Sequence, residues 1–200
     1  MTEKEKKMNN PDNCELDPIG NRMKGYIRDM ICVIGEDPDR EGLLGTPDRI
    51  IRSWKELYSG YGEKPEKILG VTFESESDEM IILKQIEFAS SCEHHMMPFT
   101  GVCHIGYIPD GRIVGISKLA RLVDIYSRRL QIQERVTTQI ADAIMAHLKP
   151  KGCMVVMNAV HLCMRIRGVS KQNSTMITQA VRGIFADSPG VRNEFSQSIR

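Results

Sequence analysis

Residues 80–109 read MIILKQIEFASSCEHHMMPFTGVCHIGYIP and predict two β-strands joined by a polar connection. The helical spacing of apolar residues that holds earlier in the chain is absent here, and residues 80–90 and 100–109 are typical of strands. Pro109-Asp110-Gly111 is a strong turn signal and ends the second strand. We therefore predict a hairpin.

The rest of the chain continues this pattern with two helices and a second pair of strands. The predicted elements are a short strand at residues 112–116, a helix capped by Ser117 and running to residue 130, a helix over residues 136–148, strands over residues 153–167 and 174–185, and a final helix capped by Ser188. The core order is therefore β-β-α-α-β-β, an α+β class with a four-stranded antiparallel sheet. A sheet of this kind leaves long edges, and subunits that share edges in a ring protect them, so we expect a homo-oligomer.

Three regions follow one another along the chain. Residues 1–16 are charged and polar and predict a flexible tail. Residues 17–70 form a helical region, in which Gly35 and Pro38 stop a first helix and Thr46-Pro47 starts a second. Residues 71–200 form the main domain.

Composition excludes several classes of protein. The chain has 200 residues, of which 41% are hydrophobic and 26% charged, as is typical of a globular domain. Its 27 basic and 26 acidic side chains give a net charge of +1, which argues against nucleic acid as a partner. No apolar run is long enough to cross a membrane, and the polar first residues exclude a signal peptide, so we expect a reducing, cytoplasmic location.

Cysteine and histidine residues form the densest chemical cluster. Cys92 and His95 have a C-x2-H spacing that brings two ligands from one loop to a metal ion, and Cys163 supplies a second thiolate. Three such ligands with an open position favour a catalytic zinc ion, and they leave His94 and His161 as candidate general acids or bases. A structural zinc with Cys103 or His161 as fourth ligand stays open at this point.

The strand predicted over residues 153–167 has a consequence for the site. Because alternate residues of a strand share a face, His161, Cys163, Arg165 and Arg167 are expected to point the same way.

Basic residues form a second constellation. Ser117, Lys118 and Arg121 lie at a predicted helix start, where unpaired N–H groups favour anions, and Arg49 and Arg52 lie in the first turns of the Thr46 helix. Glu134, at another helix start, is placed to accept two N–H bonds from a guanine edge or to serve as an ordinary first-turn carboxylate. Residues 128–129, both arginine, are interpreted as surface residues.

Five separated motifs then resemble one family. They are EGLLGTPDR at residues 41–49, SCEHH at 91–95, GISKLAR at 115–121, QER at 133–135 and HLCMRIRG at 161–168. In this order they resemble the GTP cyclohydrolase I family over roughly residues 40–200.

The resemblance implies a zinc hydrolase that opens the imidazole ring of GTP at C8. The reaction releases formate and forms 7,8-dihydroneopterin triphosphate, the first step toward folate or tetrahydrobiopterin. The resemblance also implies the tunnelling fold, with helices on one face of the sheet and an N-terminal helical extension. Subunits of this fold close into a β-barrel, usually of ten chains.

Site residues are carried over from the motifs by the same resemblance. It implies the zinc ligands Cys92, His95 and Cys163, the proton-transfer residues His94 and His161, the guanine contact Glu134, the further substrate contact Gln133, and the triphosphate contacts Ser117, Lys118, Arg121, Arg167, Arg49 and Arg52. Ser117 is also expected to take part in catalysis by holding the opened sugar.

Two rival functions remain open from the sequence. One is a reductase of related fold that acts on a pterin or deazaguanine base through a cysteine nucleophile and a nicotinamide cofactor. The other is a non-catalytic, nucleotide-binding oligomer with a structural zinc. Metal content and a fluorescence assay for pterin product distinguish the three.

Overall fold

The structure, a computed structural model, describes residues 18–200. The tail predicted over residues 1–16 lies outside these described residues. The chain divides into two compact units, the first ending at Glu56 and the second running from Leu57 to Arg200. This boundary between compact units lies before residue 70, where the sequence predicts the helical region to end. The division into domains at residue 70 stays a prediction.

Two helices make up the described part of the first unit. Helix α1 spans Pro18–Val33 and helix α2 spans Thr46–Leu57. Ile27, Ile31 and Ile51 are buried between them, as the apolar spacing predicts. Both helices were predicted from the sequence, and the prediction is confirmed.

The second unit holds the sheet and the remaining helices. In chain order its elements are a 3-10 turn at Ser59–Gly62, α3 at Pro65–Leu69, β1 at Thr72–Glu74, β2 at Ile81–Cys92, β3 at Pro98–Ile108, β4 at Arg112–Val114, α4 at Ile116–Ser127, β5 at Leu130–Gln131, α5 at Gln133–His147, β6 at Gly152–His161, α6 at Leu162–Arg165, β7 at Met176–Gly183, α7 at Ile184–Asp187 and α8 at Pro189–Ser198. No helix among these described residues is long and apolar enough to span a bilayer.

The main sheet has five strands in the order β5-β2-β3-β6-β7. Strands β2 and β3 form one antiparallel hairpin, β6 and β7 form another, and β3 pairs with β6 to join them. Helices α4 and α5 connect the two hairpins, so the predicted β-β-α-α-β-β order is confirmed. The two-residue strand β5 was not predicted, and it pairs in parallel with the end of β2.

Alternation along β6 assigns the helices to the two faces of the sheet. Cys153 and Val155 lie in the large core with residues of α4 and α5, whereas Met154 and Val156 contact the cluster that contains Phe195. Helices α7 and α8 therefore cover the opposite face. The expectation of helices on one face holds for α4 and α5 and is wrong for the C-terminal helices, because the side chains of β6 are apolar on both faces.

The strand predicted over residues 153–167 is shorter than expected. Strand β6 ends at His161, and Leu162–Arg165 turns into α6. The last cross-strand pairs are Phe99 with His161 and Ala159 with Met176, so the neighbouring strands supply no partners beyond this point. The prediction that Cys163, Arg165 and Arg167 share a strand face with His161 is therefore wrong.

Two local predictions between β1 and α4 are also corrected. Helix α4 begins at Ile116 with Gly115 at its N-cap position, so Ser117 lies inside the first turn and does not cap the helix. The acidic residues Glu74, Glu76, Asp78 and Glu79 predict a solvated loop, but Glu74 belongs to β1 and pairs with Arg112 of β4. The pairing gives this backbone hydrogen-bond partners that a loop lacks.

Arg129 has a structural role that the surface interpretation missed. Its guanidinium donates to the carbonyl of Ile125 at 2.7 Å and to that of Gly60 at 2.8 Å, and it lies over two tyrosine rings. A Cβ atom at Gly60 would lie 2.3 Å from the Ile125 carbonyl, so only glycine permits this approach. Arg128, by contrast, pairs with Asp124 at the surface, as expected.

Candidate metal centre and its surroundings

The loop after β2 presents the first part of the site. Cys92 is the last residue of β2 and is 6% exposed. The loop closes through a hydrogen bond from the Cys92 N–H to the Met97 carbonyl and another from the Met96 N–H to the Cys92 carbonyl, both 2.8 Å. This tight turn holds the exposed rings of His94 and His95 beside the Cys92 thiol.

Three ligand-type side chains converge at this loop. The ligand atoms of Cys92, His95 and Cys163 all lie within 4.8 Å of one another, although Cys163 comes from α6. Tetrahedral zinc with ordinary bond lengths holds its sulfur and nitrogen ligands about 3.5–3.8 Å apart, so a small adjustment lets all three share one ion. Two thiolates and an imidazole are a donor set that zinc accepts.

The candidate fourth ligands lie outside this group. Among the described residues, the group has three members and includes neither Cys103 nor His161. Cys103 is fully buried in β3, and burial raises the pKa of its thiol, which keeps it protonated. Three ligands match an open, catalytic site better than the closed structural site that the sequence left open.

His94 and Cys163 complete the immediate surroundings. The Nδ1 atom of His94 lies 3.9 Å from the Cys92 sulfur, almost as near as the 3.8 Å of His95, but His94 is not one of the three convergent residues. Burial raises the pKa of the Cys163 thiol, and the neighbouring Cys92 raises it further. Two thiolates this close repel each other unless a cation lies between them.

His161 is held on two sides at the end of β6. Its ring stacks on Phe99, and its Nε2 atom lies 2.8 Å from Oε1 of Gln133. Burial lowers the pKa of His161, and the negative charge of Glu134 raises it in opposition. The Glu134 carboxylate in the first turn of α5 is thus close enough to act on the ring electrostatically.

Gln133 was expected to contact a ligand, but its side chain is fully buried. Its amide already makes hydrogen bonds to Met157, Met176, Thr178 and His161. Because these partners engage both the hydrogens and the oxygen of the amide, the geometry favours a role inside the protein over a side-chain contact with a ligand.

The structure adds an ion pair that sequence reasoning did not use. Both guanidinium nitrogens of Arg135 contact the two carboxylate oxygens of Glu93. The pair joins the loop that carries His94 and His95 to the start of α5. Glu93 lies in the SCEHH motif and Arg135 in the QER motif. Their opposite charges were the one feature of the sequence that could have predicted an ion pair between them.

The remaining predicted site residues are charged or polar groups on helices. Ser117 and Arg121 are exposed and Lys118 is half-buried on α4, while Glu134 is exposed on α5 and Arg167 is exposed just after α6. A cavity of about 270 Å³ adjoins Arg121. Arg49 and Arg52 are exposed on α2 of the first unit.

Comparison with known proteins identifies relatives over most of the chain. The family profile described as GTP cyclohydrolase I matches residues 23–200. A protein of Wolinella succinogenes named GTP cyclohydrolase 1 is 57% identical over 179 residues, which is 89% of this chain and 96% of that protein. Proteins of the same name from Deinococcus radiodurans and Thermobifida fusca are 51% and 49% identical; they match 90% and 97% of this chain and 84% and 96% of their own lengths.

Proposed function

The chain belongs to the GTP cyclohydrolase I family and is an enzyme that acts on GTP, and from this premise we propose how its residues open the substrate. The proposed reaction is hydrolysis at C8 of the guanine base, with release of formate and formation of 7,8-dihydroneopterin triphosphate. The observation that carries the proposal is the convergence of Cys92, His95 and Cys163 within 4.8 Å.

These three residues would hold a zinc ion. Their chemistry fits zinc, since thiolate and imidazole are its usual ligands and the three leave a fourth position open. When bound there, zinc would supply a Lewis acid that activates water for attack on the base.

Proton transfer is assigned to the two histidines that lie outside the ligand group. His161 donates a proton to N7 of guanine, which makes C8 more electrophilic. His94, in the loop between two ligands, carries protons as the ring opens and the sugar rearranges. A positioned histidine contributes about 10²–10⁴-fold to the rate of such steps.

Binding groups surround this chemistry. Glu134 accepts hydrogen bonds from the guanine edge, and its proximity to His161 supports that role. The triphosphate contacts are Ser117, Lys118, Arg121, Arg167, Arg49 and Arg52, and Ser117 also helps to hold the opened sugar. Binding energy from the triphosphate, remote from C8, helps to orient the base for reaction.

We further propose that the chain works as a homo-oligomer, with ten copies as the form implied by its family. Strand β7 is an eight-residue edge of the sheet, and its Ile177 is 65% exposed, which favours pairing with another chain. The cavity beside Arg121, at about 270 Å³, falls below the usual range for an enclosing ligand site. A neighbouring subunit would complete it.

The metal proposal is tested by replacing one ligand and one unrelated thiol. Cys163→Ser should lose zinc and the fluorescent pterin product, whereas Cys32→Ser, at an exposed position of α1, should keep both. Zinc content and product fluorescence are measured on the same preparations. Full zinc occupancy in Cys163→Ser contradicts the assigned ligand set.

The two histidines are tested separately. His161→Ala should keep its zinc and bind GTP. The rate of ring opening in this variant should fall by about 10²–10⁴-fold, because the proton donor to N7 is gone. His94→Ala should accumulate a ring-opened formamide, which mass spectrometry of the quenched reaction detects. Loss of zinc from His161→Ala would make this histidine a ligand.

The assembly is tested by light scattering on the active protein. A mass of many chains is expected, and activity should fall when dilution dissociates them. An active monomer would contradict the proposal.

A further inference from the structure

Gln133 joins the first turn of α5 to strands β6 and β7 through its side-chain amide. Its Nε2 atom lies 3.1 Å from the carbonyl oxygen of Met157 and 2.9 Å from that of Met176. A backbone carbonyl oxygen only accepts hydrogen bonds, so the end of the amide that faces both carbonyls must be its NH₂ end. The orientation of the amide therefore follows from its partners.

The tautomer of His161 follows from that orientation. The opposite end of the Gln133 amide, Oε1, lies 2.8 Å from Nε2 of His161 and can only accept. Nε2 must therefore carry a hydrogen. A neutral imidazole carries one hydrogen, so the lone pair is on Nδ1. The stacked ring of Phe99 fixes the plane of the imidazole, and the amide fixes its rotation within that plane.

We infer that Gln133 is a positioning residue that holds His161 in the Nε2–H tautomer and leaves Nδ1 as the nitrogen that exchanges a proton with the substrate. This inference rests on the proposed function, in which His161 protonates N7 of guanine. The doubly protonated ring gives its Nδ1 proton to N7, and the N–H bond at Nδ1 breaks. The neutral ring that remains is the tautomer that Gln133 stabilises, and water later returns the proton.

Loss of the proton from Nε2 of His161 is disfavoured by the hydrogen bond between Nε2 and Gln133. If the ring lost its Nε2 proton instead, the lone pair of Nε2 would face the lone pairs of Oε1 on Gln133. The amide cannot rotate to offer its NH₂ group, because its carbonyl end would then face the carbonyls of Met157 and Met176. The three contacts thus make Nδ1 the only proton-exchanging atom of His161.

The same network offers a matched control. Thr137 donates its hydroxyl hydrogen to the backbone carbonyl of Gln133 at 2.6 Å, so Thr178 must donate in the 2.6 Å contact between the two threonines. The lone pairs of Thr178 then face Nε2 of Gln133 at 3.1 Å. Thr178→Val removes this one acceptor and leaves the bond between Gln133 and His161 in place.

The test is solid-state ¹⁵N NMR of the zinc-loaded enzyme labelled in its histidines. His161 is assigned as the signal that His161→Ala lacks, among the 5 histidines of the chain. At a pH of about 8.5 an ordinary imidazole is neutral, so its two nitrogens report which one carries the hydrogen. We expect a protonated Nε2 and a bare Nδ1 in the wild type and in Thr178→Val.

Gln133→Met should change both the spectrum and the kinetics. We expect a mixture of tautomers at His161 and a kcat lower by about 10- to 100-fold, with KM little changed. Thr178→Val, which loses a hydrogen bond of the same network, should keep kcat. A purely structural role for Gln133 predicts equal effects of the two variants.

Three results overturn the inference. A wild-type His161 with its hydrogen on Nδ1 refutes the tautomer, even if Gln133→Met does not fold. A folded Gln133→Met with one tautomer and full kcat refutes the positioning role. If the tautomer is as expected but His161→Ala keeps full activity, the proposed function fails at His161 and the proton-exchange role fails with it, although the tautomer stands.

Discussion

Phe99 and His161 oppose each other across the β3–β6 ladder, and their rings stack with centroids 4.6 Å apart and planes 3° apart. Phe99 is fully buried, so its ring is fixed by the core and in turn fixes one face of the imidazole. The stack lies where β6 ends and the chain turns toward Cys163. A core residue thereby orients the proposed proton donor.

Replacing the ring of Phe99 should therefore affect turnover as well as stability. Phe99→Leu keeps an apolar side chain but removes the flat surface under His161, and we expect kcat to fall about tenfold. Phe88→Leu is the control, because Phe88 is also a buried phenylalanine. Its ring meets that of Phe99 edge-on, with the ring centroids 6.0 Å apart. Both variants should lose about 1–2 kcal/mol in free energy of unfolding. Equal kcat values in the two variants would contradict an orienting role.

Thiol alkylation should separate the cysteines by environment. Cys32 is exposed and should react with iodoacetamide in the native protein. Cys103 and Cys153 should stay unmodified, because burial raises the pKa of both thiols, that of Cys153 to about 12. Cys163, which is half-buried, should be protected by zinc and become reactive after chelation. Peptide mass spectrometry before and after chelation measures this, and protection that survives chelation would contradict metal binding.

The order of the main elements was predictable because it depends on local patterns. Apolar side chains in residues 80–109 and the turn after Pro109 specify a hairpin without reference to the rest of the chain. The end of β6 was not predictable in this way. It is set by where β3 and β7 supply partners, and that depends on pairing between distant segments.

The candidate site, too, was predictable from the sequence only in part. The convergence of Cys92, His95 and Cys163 followed from their chemistry and their motifs, even though Cys163 reaches the group from a helix rather than a strand. The burial of Gln133 did not follow, since an isolated glutamine is usually exposed. Its amide is satisfied only by carbonyls of β6 and β7 that tertiary packing brings to it.

Arg129 should matter more for stability than its neighbour. Arg129→Lys loses the planar fork that reaches the carbonyls of Ile125 and Gly60 together, and we expect the free energy of unfolding to fall by about 1–3 kcal/mol. Arg128→Lys changes only a surface pair and should stay within about 0.5 kcal/mol of the wild type. Urea denaturation of the two variants compares them, and equal midpoints would show that the carbonyl contacts contribute little.

The ion pair between Glu93 and Arg135 should support zinc retention without touching the metal. Glu93 follows the proposed ligand Cys92, and Arg135 lies in the first turn of α5, so the pair holds the loop after β2 against the helix that carries Glu134. We expect Glu93→Gln and Arg135→Met each to speed zinc loss to a chelator by about tenfold.

A double-mutant cycle distinguishes this pair from two independent surface residues. The double variant Glu93→Gln/Arg135→Met should lose zinc no faster than either single variant, because the second change removes a partner that is already gone. Arg135→Lys, which keeps the charge but not the two-pronged contact, should fall between wild type and Arg135→Met. Lys151→Met, which breaks the exposed pair with Asp78 at 2.7 Å, should leave zinc retention unchanged. Additive effects of the two single changes would mean that Glu93 and Arg135 act on the loop separately, and the tie between the loop after β2 and α5 would then have no part in holding the metal.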